Sequence, residues 1–169
     1  QIYETRSGEA FWPSTSVDLV LPTGAPVAAL FDGVRFRVYW VEDGVGGATL
    51  HTTTVELDGT VGARSAIGAA GFPPSGPLEV ALDGSTALLL YESEGALILS
   101  RENGGALYGE AMVIDPAPRA MLSYDVASHG GSTIVAYDAM NAEESHRIWT
   151  VTLGAATTGE PCTVDAECS

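Results

Sequence analysis

The feature that most constrains this chain is that it repeats. Three segments fall on one template: "VAALFDGVRFRVYWVED" from Val27, "LEVALDGSTALLLYESE" from Leu78 and "DVASHGGSTIVAYDAM" from Asp125. In each, a β-rich run reaches a glycine (Gly33, Gly84, Gly130), and seven residues later an aromatic (Trp40, Tyr91, Tyr137) is followed within two positions by an acid. Equivalent glycines lie 51 and then 46 residues apart. That is the period of a propeller blade or a comparable β repeat.

The rest of each unit follows the same plan. A turn comes after the aromatic ("EDGVGG" at 42–47, "ESEG" at 92–95, "DAMNAEES" at 138–145), then a further strand ("ATLHTTTVELDG", "ALILSREN", "HRIWTVTLG"). A last short strand follows in the first two units, "GARSAIG" and "GEAMVI". Each unit reads as a four-stranded antiparallel meander with Gly and Asp at its turns. Phe36, Val38 and Trp40 fall on one strand face and Arg35, Arg37 and Tyr39 on the other; Trp149, Val151 and Leu153 oppose Thr150 and Thr152. The run "ALLLY" at 87–91 is apolar throughout, which predicts a strand covered on both sides. No stretch of ten residues carries a helical period, so the chain is expected to be all-β. Trp40 and Trp149 are expected in the core, with Trp12 the exposed tryptophan.

Charge narrows the partners. The 169 residues carry 22 acids against seven bases, for a net charge of −15, and every base is Arg. Such a surface repels a phosphate backbone, so nucleic acid is not an expected partner, and neither is an anionic membrane. No apolar run reaches the ~18 residues a membrane helix needs, so no insertion is expected. A cation or a basic protein would be attracted. The acids equally serve solubility and keep strand edges apart.

These units resemble the divergent β-propeller repeats of secreted bacterial proteins, in which an (F/L)DG motif followed by alternating apolar residues and an aromatic marks the first two strands of a blade. The resemblance covers about residues 20–155. It implies three meanders at about 20–69, 70–116 and 117–158, preceded at 1–19 by the end of an earlier blade or by edge strands, because "GEAFWPS" at 8–14 echoes "GEAMVID" at 109–115. Three units do not close a propeller ring. A larger parent chain, a homo-oligomer that completes the ring, and an open arrangement such as a β-sandwich all remain open.

Both cysteines, Cys162 and Cys168, stand in the final "GEPCTVDAECS". Five residues separate them, enough for a small disulfide loop. A pair so spaced makes a poor zinc site and is not the C-x-x-C of a redox centre. A disulfide, and with it an oxidising extracellular or cell-surface location, is the expectation. Gly159, Cys162, Asp165 and Cys168 also resemble the opening of a Cys-rich repeat found in secreted bacterial proteins, which implies that 159–169 begins such a segment.

A repeated meander puts equivalent loops at one end. The turns after the three aromatics should bring together Glu42, Asp43, Glu92, Glu94, Asp138, Glu143 and Glu144, a rim suited to Ca²⁺ or to a basic protein or glycan partner. Alternatively these are ordinary turn residues that never converge. Two carboxylates flanking a sugar would make the rim a polysaccharide hydrolase. However, no Asp box and no G-x-S-x-G elbow occurs, and His51, His129 and His146 fall at different repeat positions. The expected function is a binding or scaffold module, with no catalytic residue assigned. The alternatives are a hydrolase using loop carboxylates and a structural subunit of an extracellular assembly.

Overall fold

The computed structural model describes residues 19–45, 47–67, 73–118, 120–140 and 144–154. Eleven strands and no helix occur among them, in three antiparallel sheets. The first sheet is β1 (Val27–Phe31), β2 (Phe36–Gly44), β3 (Gly47–Val55) and β4 (Ser65–Ile67); the central sheet is β5 (Ser75–Asp83), β6 (Thr86–Ser93), β7 (Ala96–Asn103) and β8 (Ala106–Asp115). The third holds β9 (Ser123–His129), β10 (Ser132–Met140) and β11 (His146–Gly154). Strand order follows chain order in each, so every sheet is a meander, and no sheet closes on itself.

Tight turns explain why the chain reverses where it does. Gly33, Gly84 and Gly130, the template glycines, all take positive φ between the first two strands of their sheets. The β6–β7 turn is two residues, Glu94 and Gly95, both at positive φ (51° and 83°), the geometry that matches strand twist.

The sheets stack face to face, β5 lying against β1 on one side and β9 on the other. Each sheet therefore has a leading face toward the preceding sheet and a trailing face toward the next. Tyr39, Val41, Leu50 and Ile67 on the first sheet's trailing face meet Leu78, Leu89, Tyr91 and Ile98 on the central sheet's leading face. Leu88, Leu90, Leu97 and Leu99 behind them meet Tyr124, Val126, Val135 and Tyr137 of the third sheet. A smaller cluster, Val38, Trp40 and Val55, with Leu19 and Leu21 against it, lies on the first sheet's leading face. Burying such layers at about 25 cal/mol per Å² of apolar surface is what holds the stack together.

Trp40, Tyr91 and Tyr137 thus occupy one repeat position, and all three point to the leading face of their sheet. The expected core placement holds for Trp40, which is fully buried, but not for Trp149, which is 46% exposed. Its strand β11 is an edge strand, so no further described strand covers the ring. The segments 1–18 and 155–169, including Trp12, Cys162 and Cys168, lie outside the described residues.

Candidate functional site

The end of the sheets formed by the β2–β3, β6–β7 and β10–β11 hairpins carries the acids singled out in the sequence. Glu42 and Asp43 close β2, Glu92 lies near the end of β6, Glu94 is in the following turn, Asp138 is in β10, and Glu144 is in the turn before β11. Glu143 lies outside the described residues. These acids share an end but not a face. Glu42 stands two residues after its aromatic and so shares Trp40's leading face. Glu92 and Asp138 stand one residue after theirs and emerge on the trailing faces. In a strand, a one-residue offset reverses the side chain.

Glu42 is accordingly engaged within the first sheet. It is ion-paired with Arg64, and His51 Nε2 lies 3.6 Å from the same carboxylate oxygen. The His51 ring stacks on Trp40 at 5.5 Å and 16° between planes, and the Arg64 guanidinium sits 4.9 Å from the Trp40 ring centroid. Trp40 Nε1, although buried, has no hydrogen-bond partner among the described residues.

A second arrangement forms on the trailing face of the third sheet, where Glu79 of β5 comes alongside β9. A shallow cavity of about 320 Å³ is bounded by Glu79, Asp125, Asp138, Ser123, Ala136 and Ile148, with Tyr124 and Tyr137 completing its wall. Burial, then the charge of Asp125, pushes the Glu79 carboxyl above the usual carboxylate range. Asp138 pairs with His146 at 2.6 Å. Tyr124 donates its hydroxyl to the Pro77 carbonyl. Tyr137 donates to Asp115 Oδ2 at 3.1 Å, and its hydroxyl is pushed up to about 12 by burial and then by that carboxylate. Glu79 and Asp125 were not anticipated. A signal for them exists: each precedes its template glycine by five residues, where the first unit has Ala28.

The opposite end holds a buried polar network. Glu102, 2% exposed on the leading face of the central sheet, accepts the Tyr39 hydroxyl at 2.7 Å and lies 3.5 Å from Arg37 Nη1. Arg37 Nε in turn donates to Asp32 at 3.0 Å. Burial works to raise the Asp32 carboxyl, but the Arg35 and Val34 amides and the Arg37 guanidinium outweigh it and hold it below its ordinary range. This network joins the first two sheets. Among the described residues, no group of three or more His, Cys, Asp or Glu side chains could hold a metal ion.

The fold thus defines an all-β protein of repeated, stacked antiparallel meanders. No family model matches the chain and no curated protein is similar to it. A solved structure with some likeness is an α-L-arabinofuranosidase from Podospora anserina in complex with cellotriose, with 11% identity over 78% of this chain and a TM-score of 0.38. The match covers 64% of that enzyme's chain, and at that TM-score the likeness supports no assignment of activity.

Proposed function

We propose that this chain is a propeller-like binding and scaffold module of an exported protein, which receives a cationic partner at its acidic hairpin end. The observation that carries the reading is the placement of the acids. Asp43 at the exposed end of β2, with Glu94 and Glu144 in the exposed turns before β7 and β11, stand on three successive sheets, while Glu42 and Asp138 are tied to neighbours on opposite faces. Such a distribution makes an extended negative field on a rigid support, not a single reacting centre. A disulfide between Cys162 and Cys168 in an oxidising compartment belongs to the same proposal.

The test is binding of an arginine-rich peptide by titration calorimetry at several salt concentrations. Replacing Asp43 by Asn and Glu94 and Glu144 by Gln together should weaken binding about tenfold and flatten its salt dependence. Unchanged affinity in the triple variant would remove the reading. A second reading, a polysaccharide hydrolase, draws support from the Glu79–Asp125 pair in its cavity. Sugar release that Glu79→Gln and Asp125→Asn each abolish would establish it, and a flat screen over varied polysaccharides would dispose of it.

A further inference from the structure

The two ends of the stack are open at the repeat positions that its interior buries. In each unit the first strand turns to the leading face the residues six, four and two places before the template glycine: Val27, Ala29 and Phe31 in the first, Leu78, Val80 and Leu82 in the second, Tyr124, Val126 and Ser128 in the third. Leu78, Tyr124 and Val126 are buried against the sheet before them. Val27 and Phe31, by contrast, are 47% and 45% exposed, and Ala29 between them is open as well. The Trp40 half of that face is already buried, with Leu19 and Leu21 packed there. What stays open is the β1 half, where the Phe31 and Phe36 rings lie 5.1 Å apart.

The far end of the stack is open in the matching way. Leu88 and Leu90, four and six places after their glycine, and Leu97 on the next strand are buried beneath the third sheet. Their equivalents on the third sheet's trailing face are Ile134, Ala136 and Ile148, and both isoleucines are exposed. Ala127, the register partner of Ile134 on β9, is exposed too. The two open surfaces are therefore the two halves of a contact that occurs twice inside the molecule, the trailing face of one sheet against the first strand of the next. Neighbouring sheets come closest at β1, β5 and β9, so the stack fans about its first strands. A step of that kind, repeated, turns toward a ring.

We propose that a second copy of this chain occupies both open surfaces, the Val27, Ala29 and Phe31 strip of each copy packing on Ile134, Ala136 and Ile148 of the other. The same head-to-tail contact then forms twice, and two copies of three sheets close a six-sheet ring about a twofold axis. Continuity with the two interfaces inside the molecule favours this pairing over two trailing faces set together, which would also bring Asp125 and Asp138 against the same acids. Each copy carries a net charge of −15, so the pair is a weak one, with a Kd on the order of 10–100 μM that salt tightens. On dilution the monomer returns, its third sheet covered on one face. The interface uses none of Asp43, Glu94 and Glu144, so polycation binding and self-association can fail separately, and salt moves them in opposite directions.

The test is the native mass of the full chain by sedimentation equilibrium, from ~1 μM to ~300 μM protein and at two salt concentrations. The mass should rise from 17.5 kDa, level off at twice that value, and do so at lower protein concentration in high salt. A monomer throughout the range, or a mass that climbs past two copies, overturns the closed pair. Ala29→Glu and Ile134→Arg, both at exposed positions, should leave the melting temperature of the dilute monomer unchanged and each weaken self-association at least ~tenfold. Mixed in equal amounts the two variants should pair better than either alone, because one contact is then untouched and the other sets Glu against Arg. Pairing of two trailing faces requires instead that Ala29→Glu associate as the unmodified chain does. That result, or a mixture that shows no rescue, overturns the head-to-tail assignment.

Discussion

The central and third sheets are built from one template and end in different states. Along β6, Ala87 to Tyr91 are buried without a break, whereas β10 alternates buried and open positions. Leu88 and Leu97 on the central sheet's trailing face are 2% and 0% exposed; Ile134 and Ile148 at the same places on the third are 48% and 70% exposed. The central sheet is covered on both faces and the third sheet on one. Position in the stack, not the template, decides how much a given side chain contributes.

Substitution at equivalent places is the hardest test of that contrast. Leu97→Ala should cost about 3 kcal/mol of unfolding free energy in urea, while Ile148→Ala should cost about 0.5 kcal/mol or less. Equal costs would break the comparison and mean that something covers the third sheet in solution. The polar groups give a smaller version. Glu102→Gln weakens a buried contact to Tyr39 and Arg37 and should cost about 2 kcal/mol; Asp138→Asn, at a pair 36% and 21% exposed, should cost about 0.5 kcal/mol. Comparable losses would show that Glu102 is not the staple between sheets that its geometry describes.

The smallest effect concerns Glu79, at the boundary of the two sheets. Its carboxyl is raised in the folded state, so this group's contribution is most favourable below the unfolded value and declines as pH rises through the folded one. Glu79→Gln should therefore raise the melting temperature slightly at pH ~7, with the gain fading toward pH ~4. A variant that melts lower at neutral pH would show that the Glu79 carboxylate is stabilised by a partner in place of being opposed by Asp125.

Much of this was legible in the residues. The Gly turns and the two-sided run "ALLLY" depend on neighbours within about ten positions, and the structure reproduces them; the alternation around Trp40 predicts a half-buried strand, whereas β2 is buried on both faces from Val38 to Val41. The rim acids are harder to read, because whether the acid follows its aromatic by one residue or two sets its face, and that offset differs between Glu42 and the pair Glu92 and Asp138. Trp149 was misplaced for another reason: it shares the covered leading face with Tyr137 but sits on the edge strand β11, where no further described strand flanks it.

By itself the sequence determined an all-β chain of repeated meanders, because turn chemistry and period-two patterning are local properties. The tertiary structure alone decided which faces are covered and which charges meet. Arg37 and Tyr39 reach Glu102 across 65 and 63 positions of chain, and Glu79 comes to face Asp125 only because β5 and β9 are stacked. Contacts at that separation are fixed by how the sheets pack, which no local pattern encodes.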